Sequence, residues 1–521
     1  MRGGESILRA LTACGVDTCF TNPGTSEIYL VQAFDRVPTV RPILALFEGV
    51  ATGAADGYGR MTKKPALVVL HLGPGLANGI ANLHNARRAR TPLLCVIGDH
   101  ATYHKPYDSP LETDIDSLAK PVSNWFHRSL RTEDLVEDAM SAYNATLRAP
   151  GRVATLVVSA DLTWTDHPGT TVPSIEHNPT QVKPAWEENA LEETIKALRS
   201  GERCTLLLGG PALEEKGLLA ASRIANSFKA KILCEMLPAK QQRGTGLPAL
   251  ERLAYLGELA MSQLDGTRHL ILVGAKAPVS FFAYPDKPSY LVPEGCTVHT
   301  LATADEDPAG ALEAISETLG LDPATATLQP PSNMDLPTGR LTPETVAQAI
   351  GALLPEGAIV SDEGNTSGIF VYQATAGAPR HDWLCLTGGA IGQGLPLATG
   401  ASVACPDRKV LCLESDGSAM YTIQSLWTQA REGLDVITVI LNNRSYAILK
   451  FELARLGGGS PGPIANHLLE LSPPNLDFVS IANGLGVEAG RATTAEEFVV
   501  QLKKAMAERR PYLIDAILER S

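Results

Sequence analysis

The stretch KVLCLESDGSAMYTIQSLWTQAREGLDVITVILNNRSYAIL, residues 409 to 449, decides the fold of this chain. It opens with an apolar run of strand length at 410–413 and closes with a second, β-branched run at 436–441. Between the two runs, apolar residues recur at helical spacing as far as Gly433, where a helix would end. A strand, a helix and another strand in this order predict a parallel crossover unit.

Polar side chains follow both strands of this unit. Asp416 comes after the first strand, and Asn443 comes after the second. Because the carboxyl ends of parallel strands share one edge of a sheet, we expect these two side chains to meet there. Their oxygens suit Mg²⁺, and Gly417 at the following helix N-terminus suits a phosphate. The stretch therefore predicts a metal-bridged diphosphate site, although Asp416 as a simple helix N-cap and the asparagines as a turn are the alternative.

The same pattern resembles the cofactor motif of thiamine-diphosphate enzymes, which acetolactate synthases, pyruvate oxidases and benzoylformate decarboxylases share. The wording SDGSAMYTIQSLWTQA is most similar to the benzoylformate decarboxylase version. The family usually has Gly where this chain has Ser415. The resemblance implies an enzyme that binds thiamine diphosphate through Mg²⁺, with Asp416, Asn443 and the carbonyl of Ser445 as metal ligands.

The length of 521 residues is too great for one ordinary core and suits three domains. Strand and helix patterns alternate from the start of the chain, so the predicted fold class is α/β with three doubly wound parallel-sheet domains. The resemblance implies pyrimidine-binding, central and diphosphate-binding roles for them. The predicted domains are 1–165, 191–325 and 341–521, and the polar, Pro-rich segments 166–190 and 326–340 are predicted linkers.

The composition narrows the class of partner. The net charge of −13 argues against nucleic acid or an anionic membrane as the main partner. The nine cysteines follow no C-x-x-C spacing, which predicts free thiols in a reducing cytoplasm. We expect no signal peptide, and no apolar run reaches the length of a membrane span.

Glu48 is the first catalytic candidate of the N-terminal domain. It follows the apolar run ILALF, which predicts a buried strand over 43–47, and precedes a helix start rich in Gly and Ala. The residues alone also allow a plain first-turn acid. The resemblance implies that Glu48 hydrogen-bonds the pyrimidine ring of a cofactor held by the neighbouring subunit, and so promotes formation of the ylid. A homodimer or homotetramer is therefore expected.

His71 and Thr25 are the other two catalytic candidates. His71 opens HLGPGLAN directly after a strand, where a lone histidine is often a structural group. The resemblance to benzoylformate decarboxylase implies that its imidazole faces the reacting carbon and handles protons. Thr25, in the turn NPGT, matches a serine that helps to seat the substrate carboxylate.

The remaining site predictions lie in the C-terminal domain and rest on matching motifs. Small polar turns after strands suit a phosphate, and the resemblance implies that their residues border the cofactor. The predicted cofactor-binding residues are Asn365, Thr366, Gly389, Ile391, Gly417, Ser418 and Tyr446, and the predicted substrate pocket comprises Leu449, Phe451 and Glu452.

The central domain carries the weakest signals. No G-x-G-x-x-G follows any of its strands, so FAD, which related oxidases and synthases hold there, is considered unlikely but is not excluded. Phe281 and Phe282 stand where benzoylformate decarboxylase has a second active-site histidine, and we interpret the two rings as core rather than pocket wall.

Together these features predict a thiamine-diphosphate- and Mg²⁺-dependent decarboxylase or carboligase of 2-oxo acids. The resemblance implies ylid addition, loss of CO₂, and then protonation or carboligation of the enamine. His71 favours protonation, whereas the missing second histidine and the likeness to acetolactate synthases favour ligation. Two alternatives are a flavin-linked 2-oxo acid oxidase and a non-catalytic, cofactor-binding regulatory homologue. The identity of the 2-oxo acid stays open.

Overall fold

The computed structural model describes residues 1–169 and 185–519, which form three α/β units in chain order, each around a largely parallel sheet. The predicted fold class is confirmed. Most of the predicted linker 166–190 lies outside the described residues, whereas the second linker, 326–340, is described and contains no helix and no named strand.

The first unit supplies a six-stranded sheet. Its strands are β1 (Thr18–Thr21), β2 (Arg41–Leu44), β3 (Ala66–His71), β4 (Leu93–Asp99), β5 (Trp125–Arg128) and β6 (Val153–Ser159). Its helices are α1 (Gly3–Ala13), α2 (Ile28–Phe34), α3 (Glu48–Thr62), α4 (Leu72–Ala89), α5 (Ile115–Ala119), α6 (Leu135–Thr146) and α7 (Ala160–Trp164). The strand order is β2-β1-β3-β4-β6-β5, and every pairing is parallel.

The central unit supplies a five-stranded parallel sheet. Its segments are α8 (Glu188–Arg199), β7 (Cys204–Leu208), α9 (Glu215–Phe228), β8 (Lys231–Cys234), β9 (Gln241–Arg243), β10 (Glu251–Arg252), α10 (Gly257–Leu264), β11 (His269–Val273), β12 (Thr297–Ala302) and α11 (Pro308–Thr318). The sheet order is β10-β8-β7-β11-β12, so the chain winds in both directions from β7. Such an order places a topological switch point between β7 and β11.

The third unit supplies a seven-stranded sheet of order β17-β18-β16-β15-β13-β14-β9. Its strands are β13 (Ile359–Glu363), β14 (His381–Cys385), β15 (Val410–Ser415), β16 (Val436–Asn442), β17 (Glu488–Ala492) and β18 (Tyr512–Ile517). Its helices are α12 (Pro343–Leu353), α13 (Asn365–Ala374), α14 (Gly394–Ala404), α15 (Asp416–Thr422), α16 (Ser425–Glu432), α17 (Ala447–Arg455), α18 (Pro463–Leu469), α19 (Phe478–Gly484) and α20 (Ala495–Ala507).

Strand β9 is the main departure from three separate sheets. Although it lies within the central stretch of sequence, it pairs antiparallel with β14 and completes the third sheet. Arg243 at its end is buried, with its guanidinium 3.4 Å from the centroid of the Tyr372 ring. The strand therefore ties the central unit to the third by backbone hydrogen bonds and by a buried cation–π contact.

Two local features differ from the sequence prediction. The apolar run 43–47 is not a strand throughout, because β2 ends at Leu44 and Leu46 is exposed. The crossover between β15 and β16 holds two short helices, α15 and α16, instead of one. The predicted helix end is confirmed, since Gly433 caps α16 with a φ of +62°.

The first and third units pack through α3 and α14. A Cβ atom on Gly57 would lie 2.1 Å from the carbonyl oxygen of Leu397, so the helices approach to backbone contact. The buried Arg60 guanidinium pairs with Asp56 at 2.6 Å and donates to the carbonyl oxygen of Cys385 at 2.7 Å. A charge that is both paired and hydrogen-bonded is tolerated in such an interface, so these contacts hold the two units in one arrangement.

Two further observations concern the whole chain. Each of the nine cysteines lies in the described part and is free. Within residues 1–169 and 185–519, the helices lack the combination of length and apolarity needed to cross a bilayer.

Candidate active site

The carboxyl edge of the third sheet brings Asp416 and Asn443 together, as the sequence predicted. Asp416 begins α15 after β15, and Asn443 follows the neighbouring strand β16. The Asp416 carboxylate accepts hydrogen bonds from the backbone N–H groups of Gly417 at 2.8 Å and Arg444 at 2.5 Å. The contact with Arg444 shows that the two strand ends touch. Burial raises the pKa of Asp416 to about 6.

The oxygen donors at this edge fit a Mg²⁺ ion. Asn443 is buried, and its amide oxygen is fixed by the N–H of Ser445 at 2.9 Å. A buried carboxylate, a fixed amide oxygen and the carbonyl of Ser445 would provide the hard oxygen ligands that Mg²⁺ prefers. No group of three or more His, Cys, Asp or Glu side chains suited to a metal occurs in the described residues. A magnesium site at this edge would therefore rest on this mixed set.

Gly417 and Tyr446 are in direct contact. A Cβ atom on Gly417 would lie 2.4 Å from Cε1 of Tyr446, so the tyrosine ring packs flat against this backbone. The Tyr446 ring therefore leaves no room for a side chain at position 417, and a cofactor bound close to this backbone would require glycine as well. The Ser418 hydroxyl points inward and donates to Glu414 at 2.5 Å, so this hydroxyl is already hydrogen-bonded within the protein.

The departure at Ser415 has a structural reason. Its hydroxyl donates to the carbonyl oxygen of Glu363 at 3.1 Å and accepts a hydrogen bond from the Asn365 side chain at 3.1 Å. Asn365 begins α13 with a φ of +44°, a left-handed conformation that Asn tolerates, and Thr366 follows it in the first turn. Ser415 therefore links the two helix N-termini that the sequence analysis assigned to phosphate binding.

The turn that contains Gly389 and Ile391 faces the same edge from β14. Both residues are partly exposed, and Gly389 has a φ of +75°. Phe281 of the central unit packs against this turn, because a Cβ atom on Gly389 would lie 2.8 Å from Cζ of Phe281. Phe281 is 37% exposed and Phe282 is 54% exposed, so the two rings are not core, contrary to our interpretation of the sequence.

Two buried glutamates beneath this turn were missed by sequence analysis. Glu363 accepts hydrogen bonds from the backbone of Gly392 at 2.7 Å and of Gly394, and burial raises its pKa to about 7. Burial, followed by the nearby Glu363, raises the pKa of Glu414 well above its usual range. Glu363 therefore fixes the backbone that directly follows the Gly389–Ile391 turn, and Glu414 lies beside it. Their position among polar strand-end residues gave no signal of burial.

The three catalytic candidates of the first unit also come together. His71 ends β3 and Glu48 begins α3. A Cβ atom on Gly75 would lie 3.3 Å from Oε1 of Glu48 and 3.4 Å from Cβ of His71, so the two side chains share one small space. Asn78 donates to the Glu48 carboxylate at 3.0 Å. No hydrogen bond or ion pair among the described residues joins Glu48 to Asp416 or Asn443 within one chain.

Glu27 is the most important residue that the sequence analysis missed. It is fully buried, and its Oε2 lies 2.8 Å from Nδ1 of His71 and accepts the N–H of Gly24 at 2.9 Å. Its other oxygen, Oε1, has no hydrogen-bond partner among the described residues. This oxygen packs against Gly98, because a Cβ atom on Gly98 would lie only 1.7 Å from it. The hydrogen bond from Glu27 raises the pKa of His71. A signal existed, since Glu27 lies two residues after Thr25 in NPGTSE.

Thr25 lies at the rim of this cluster. It is exposed and begins a short 3₁₀ turn. The preceding Gly24 packs directly on the His71 ring, because a Cβ atom there would lie 2.2 Å from the imidazole. The turn NPGT therefore packs against the His71 ring through Gly24.

Helix α17 carries the predicted substrate pocket residues at the edge of the third sheet. Leu449 and Phe451 are 49% and 48% exposed. Glu452 is held by Arg455 at 2.7 Å, and Arg455 lies 4.2 Å above the ring of Tyr284 in the central unit. The carboxylate of Glu452 is thus paired, and the exposed surface of α17 is mainly apolar.

Comparison with known proteins adds to the geometry. The profile described as thiamine pyrophosphate enzyme, N-terminal TPP binding domain, matches residues 1–120. The profile for the C-terminal TPP binding domain matches residues 362–516. This chain belongs to the thiamine pyrophosphate enzyme family. The two matched segments contain Glu48 and His71 in the first and Asp416 and Asn443 in the second.

Relatives of full length support the assignment. The chain is 54% identical over 525 residues to the putative acetolactate synthase large subunit IlvX of Mycobacterium tuberculosis, with 99% of each chain covered. It is 30% identical over 526 residues to benzoylformate decarboxylase of Pseudomonas aeruginosa, with 96% of each covered. The structure of 4-hydroxybenzoylformate decarboxylase from Rhodococcus jostii RHA1 superimposes with a TM-score of 0.84, 25% identity and full coverage of both chains. The chain is thus a thiamine-diphosphate-dependent enzyme of the acetolactate synthase and benzoylformate decarboxylase family.

Proposed function

We propose that this enzyme decarboxylates a 2-oxo acid with thiamine diphosphate and Mg²⁺, and releases the aldehyde. The observation that carries the proposal is the contact of the partly exposed His71 with the buried Glu27, 2.8 Å apart and adjacent to Glu48. The hydrogen bond from Glu27 raises the pKa of His71 and so favours the imidazolium, which can donate a proton. Protonation is the step that separates aldehyde release from ligation.

Cofactor binding is assigned to the edge of the third sheet. The side-chain oxygens of Asp416 and Asn443 and the carbonyl of Ser445 would hold Mg²⁺, and the N-termini of α13 and α15 would face the diphosphate. When bound, thiamine diphosphate supplies the electron sink that loss of CO₂ requires. Tyr446 and Ile391 would border the cofactor on either side.

The first unit supplies the acid–base groups in this proposal. Glu48 would share a proton with the pyrimidine ring, and Asn78 holds its carboxylate in place at 3.0 Å. His71 would hold its proton toward the reacting carbon, and Glu27 fixes the ring orientation through Nδ1, which leaves Nε2 directed at the substrate. Thr25 would hydrogen-bond the substrate carboxylate from the rim.

The substrate side of the site is apolar. Phe281 contacts the Gly389 turn, and its ring lies 5.2 Å from that of Tyr255 and 4.9 Å from that of Phe282. Leu449 and Phe451 extend this apolar surface from α17. These side chains favour a 2-oxo acid with a large apolar or aromatic substituent over pyruvate.

A second candidate is carboligation to an acyloin or acetohydroxy acid. It is favoured by Phe281, an apolar ring that cannot donate a proton, beside the turn at Gly389. The full-length similarity to a putative acetolactate synthase supports the same outcome. One experiment separates the two: the enzyme with thiamine diphosphate and Mg²⁺ is given pyruvate, benzoylformate or longer 2-oxo acids, and CO₂, aldehyde, acyloin and acetohydroxy acid are measured. Aldehyde equal to CO₂ supports the first candidate. Acyloin at half of CO₂, or acetohydroxy acid equal to CO₂, supports the second, and no CO₂ from any acid contradicts both.

We further propose that the site is shared between two protomers of a cytoplasmic homodimer or homotetramer. Exposed apolar side chains lie near both halves of the site, including Ile28 at 53% and Tyr421 at 54% exposure. The test mixes Glu48→Gln and Asp416→Ala protomers. If Glu48 serves the partner's cofactor, random mixed dimers hold one intact site each, and about a quarter of wild-type activity returns. No recovery after verified subunit exchange would contradict a shared site.

A further inference from the structure

The carboxyl edge of the central sheet is the other place in this chain where a nucleotide-type cofactor would be expected. Its order, β10-β8-β7-β11-β12, puts the switch point between β7 and β11, where open α/β sheets bind such ligands. Gly209, Glu235, Gly274 and Thr303 directly follow four of its five strands, namely β7, β8, β11 and β12. They define what we call the central crevice.

The donors that a phosphate would need in the first turn of the central crevice are already used. The N–H of Gly209 donates to the carbonyl oxygen of Val273 at 2.9 Å, and the N–H of Gly210 donates to Oε1 of Glu235 at 3.3 Å. Pro211 has no N–H. The N–H of Ala212 donates back to Gly209 at 3.2 Å. Every backbone N–H of this turn is therefore either bonded within the protein or missing.

The helix that follows the turn offers no better anion site. The N–H of Glu215, the first residue of α9, donates to the side chain of Gln242 at 2.6 Å. Glu214 and Glu215 place carboxylates at this helix N-terminus, where they take the favourable position for negative charge and repel a phosphate.

The walls of the central crevice are also in contact. A Cβ atom on Gly274 would lie 2.4 Å from the carbonyl oxygen of Gly209, and one on Gly209 would lie 2.9 Å from Oε1 of Glu235. The backbones of Gly209 and Gly274 are in contact and leave no space even for a side chain. A nucleotide therefore has no room between them. Burial raises the pKa of Glu235 to about 7.

The mouth of the crevice is crossed by an ion pair from another unit. Arg90, which caps α4, lies 3.0 Å from Asp305 just beyond β12. Lys63, which caps α3, pairs with Glu214 at 2.7 Å. The ends of two helices of the first unit thus stand over the central sheet.

We infer that the central crevice is closed to FAD and other dinucleotides, that the Glu235 carboxylate takes the position of a ligand phosphate, and that the central unit acts as a brace between the other two. This inference does not depend on which 2-oxo acid is turned over. It argues against the flavin-linked oxidase considered from the sequence, because the residues present do not fit the flavin.

The test measures nucleotide binding to the full-length enzyme with thiamine diphosphate and Mg²⁺ in excess, so that the catalytic site is filled. Flavin released by denaturation is read from visible absorption, FAD binding from quenching of flavin fluorescence, and ADP binding from calorimetry. Wild type is compared with Glu235→Ala, which frees the N–H of Gly210, and with Glu235→Gln, which keeps an acceptor there.

The expected result is no flavin and no uptake of FAD by wild type and Glu235→Gln, and only weak binding of ADP to either. ADP should bind at least tenfold more tightly to Glu235→Ala than to Glu235→Gln, while 2-oxo acid turnover stays within twofold of wild type. Stoichiometric flavin in the wild-type enzyme would overturn the closure of the crevice. Equal ADP affinity of the two variants would overturn the role of Glu235.

Discussion

The carboxyl edges of the central and third sheets have similar topology and opposite character. At the third edge, Asp416 and Asn443 follow neighbouring strands, and the partly exposed start of α13 and the buried start of α15 lie beside them. At the central edge, Glu235 accepts the hydrogen bond from the N–H of Gly210 that a ligand would need, and the backbones of Gly209 and Gly274 are in contact. The capacity to bind a cofactor is thus set by the few residues that follow the strands, and not by the strand order.

The strongest test of this difference between the two sheet edges removes one carboxylate from each edge. Asp416→Ala should lower turnover and Mg²⁺ affinity by more than about 100-fold, since it removes a ligand where loss of even a supporting contact costs 10–100-fold. Glu235→Ala should leave both unchanged. Steady-state kinetics against Mg²⁺ concentration measure the effect, with Asp407→Ala, a 97% exposed carboxylate, as the matched control. Equal losses of turnover and Mg²⁺ affinity in Asp416→Ala and Glu235→Ala would contradict the difference between the two sheet edges.

The next test asks whether the first sheet completes the third. Glu48→Gln keeps the shape of the side chain and its contact with Asn78 but removes the proton-sharing carboxylate. We expect kcat to fall by roughly 10²–10⁴-fold, as is usual for a general acid or base. Binding of thiamine diphosphate and Mg²⁺, measured by calorimetry, should change little. A kcat of Glu48→Gln equal to that of wild type would show that the residues at the edge of the first sheet take no part in the reaction.

A smaller effect is expected where the central unit touches the third. Phe281→Ala removes the ring beside Gly389, and kcat/KM for benzoylformate should fall about 10-fold because an aromatic contact is lost. Pyruvate, whose methyl group is too small to use the ring, should change by less than about 3-fold. Phe282→Ala is the control for general damage to the loop. Parallel losses for both substrates would mean that Phe281 only supports the turn.

The smallest effect concerns the buried Glu27. Because its hydrogen bond raises the pKa of His71, the imidazolium persists to higher pH than it otherwise would. Activity that needs this proton is present at low pH and is lost as the pH rises through the pKa of His71. Glu27→Gln should therefore move the basic limb of the kcat profile to lower pH, with a loss on the order of tenfold in alkaline solution. Ser26→Ala, which removes a long contact of 3.4 Å to the same nitrogen, should leave the limb in place.

The sequence predicted the features that depend on periodicity and on strand ends. Alternating apolar runs identified the parallel sheets, and the rule that parallel strands end at a common edge was enough to place Asp416 beside Asn443. These positions are local in origin, so a single sequence is enough to find them.

Features that depend on contacts distant in sequence were not predictable in this way. Glu27 reaches His71 across 44 residues, and Glu363 braces a turn about 30 residues away. Burial of a carboxylate is decided by what packs over it, and polar residues after strands look alike whether they face solvent or the interior. For the same reason Phe281 and Phe282 were interpreted as core, since hydrophobicity alone does not tell a pocket wall from an interior.

Strand β9 limits how this enzyme can be divided. A fragment that begins at residue 341 would lack Gln241–Arg243, so the backbone of β14 would become an unprotected edge and Tyr372 would lose the guanidinium stacked on it. Such a fragment should self-associate, even though it contains all of the predicted metal ligands. Chimeras that exchange the cofactor-binding module between relatives would therefore need to carry the segment around residue 242 as well.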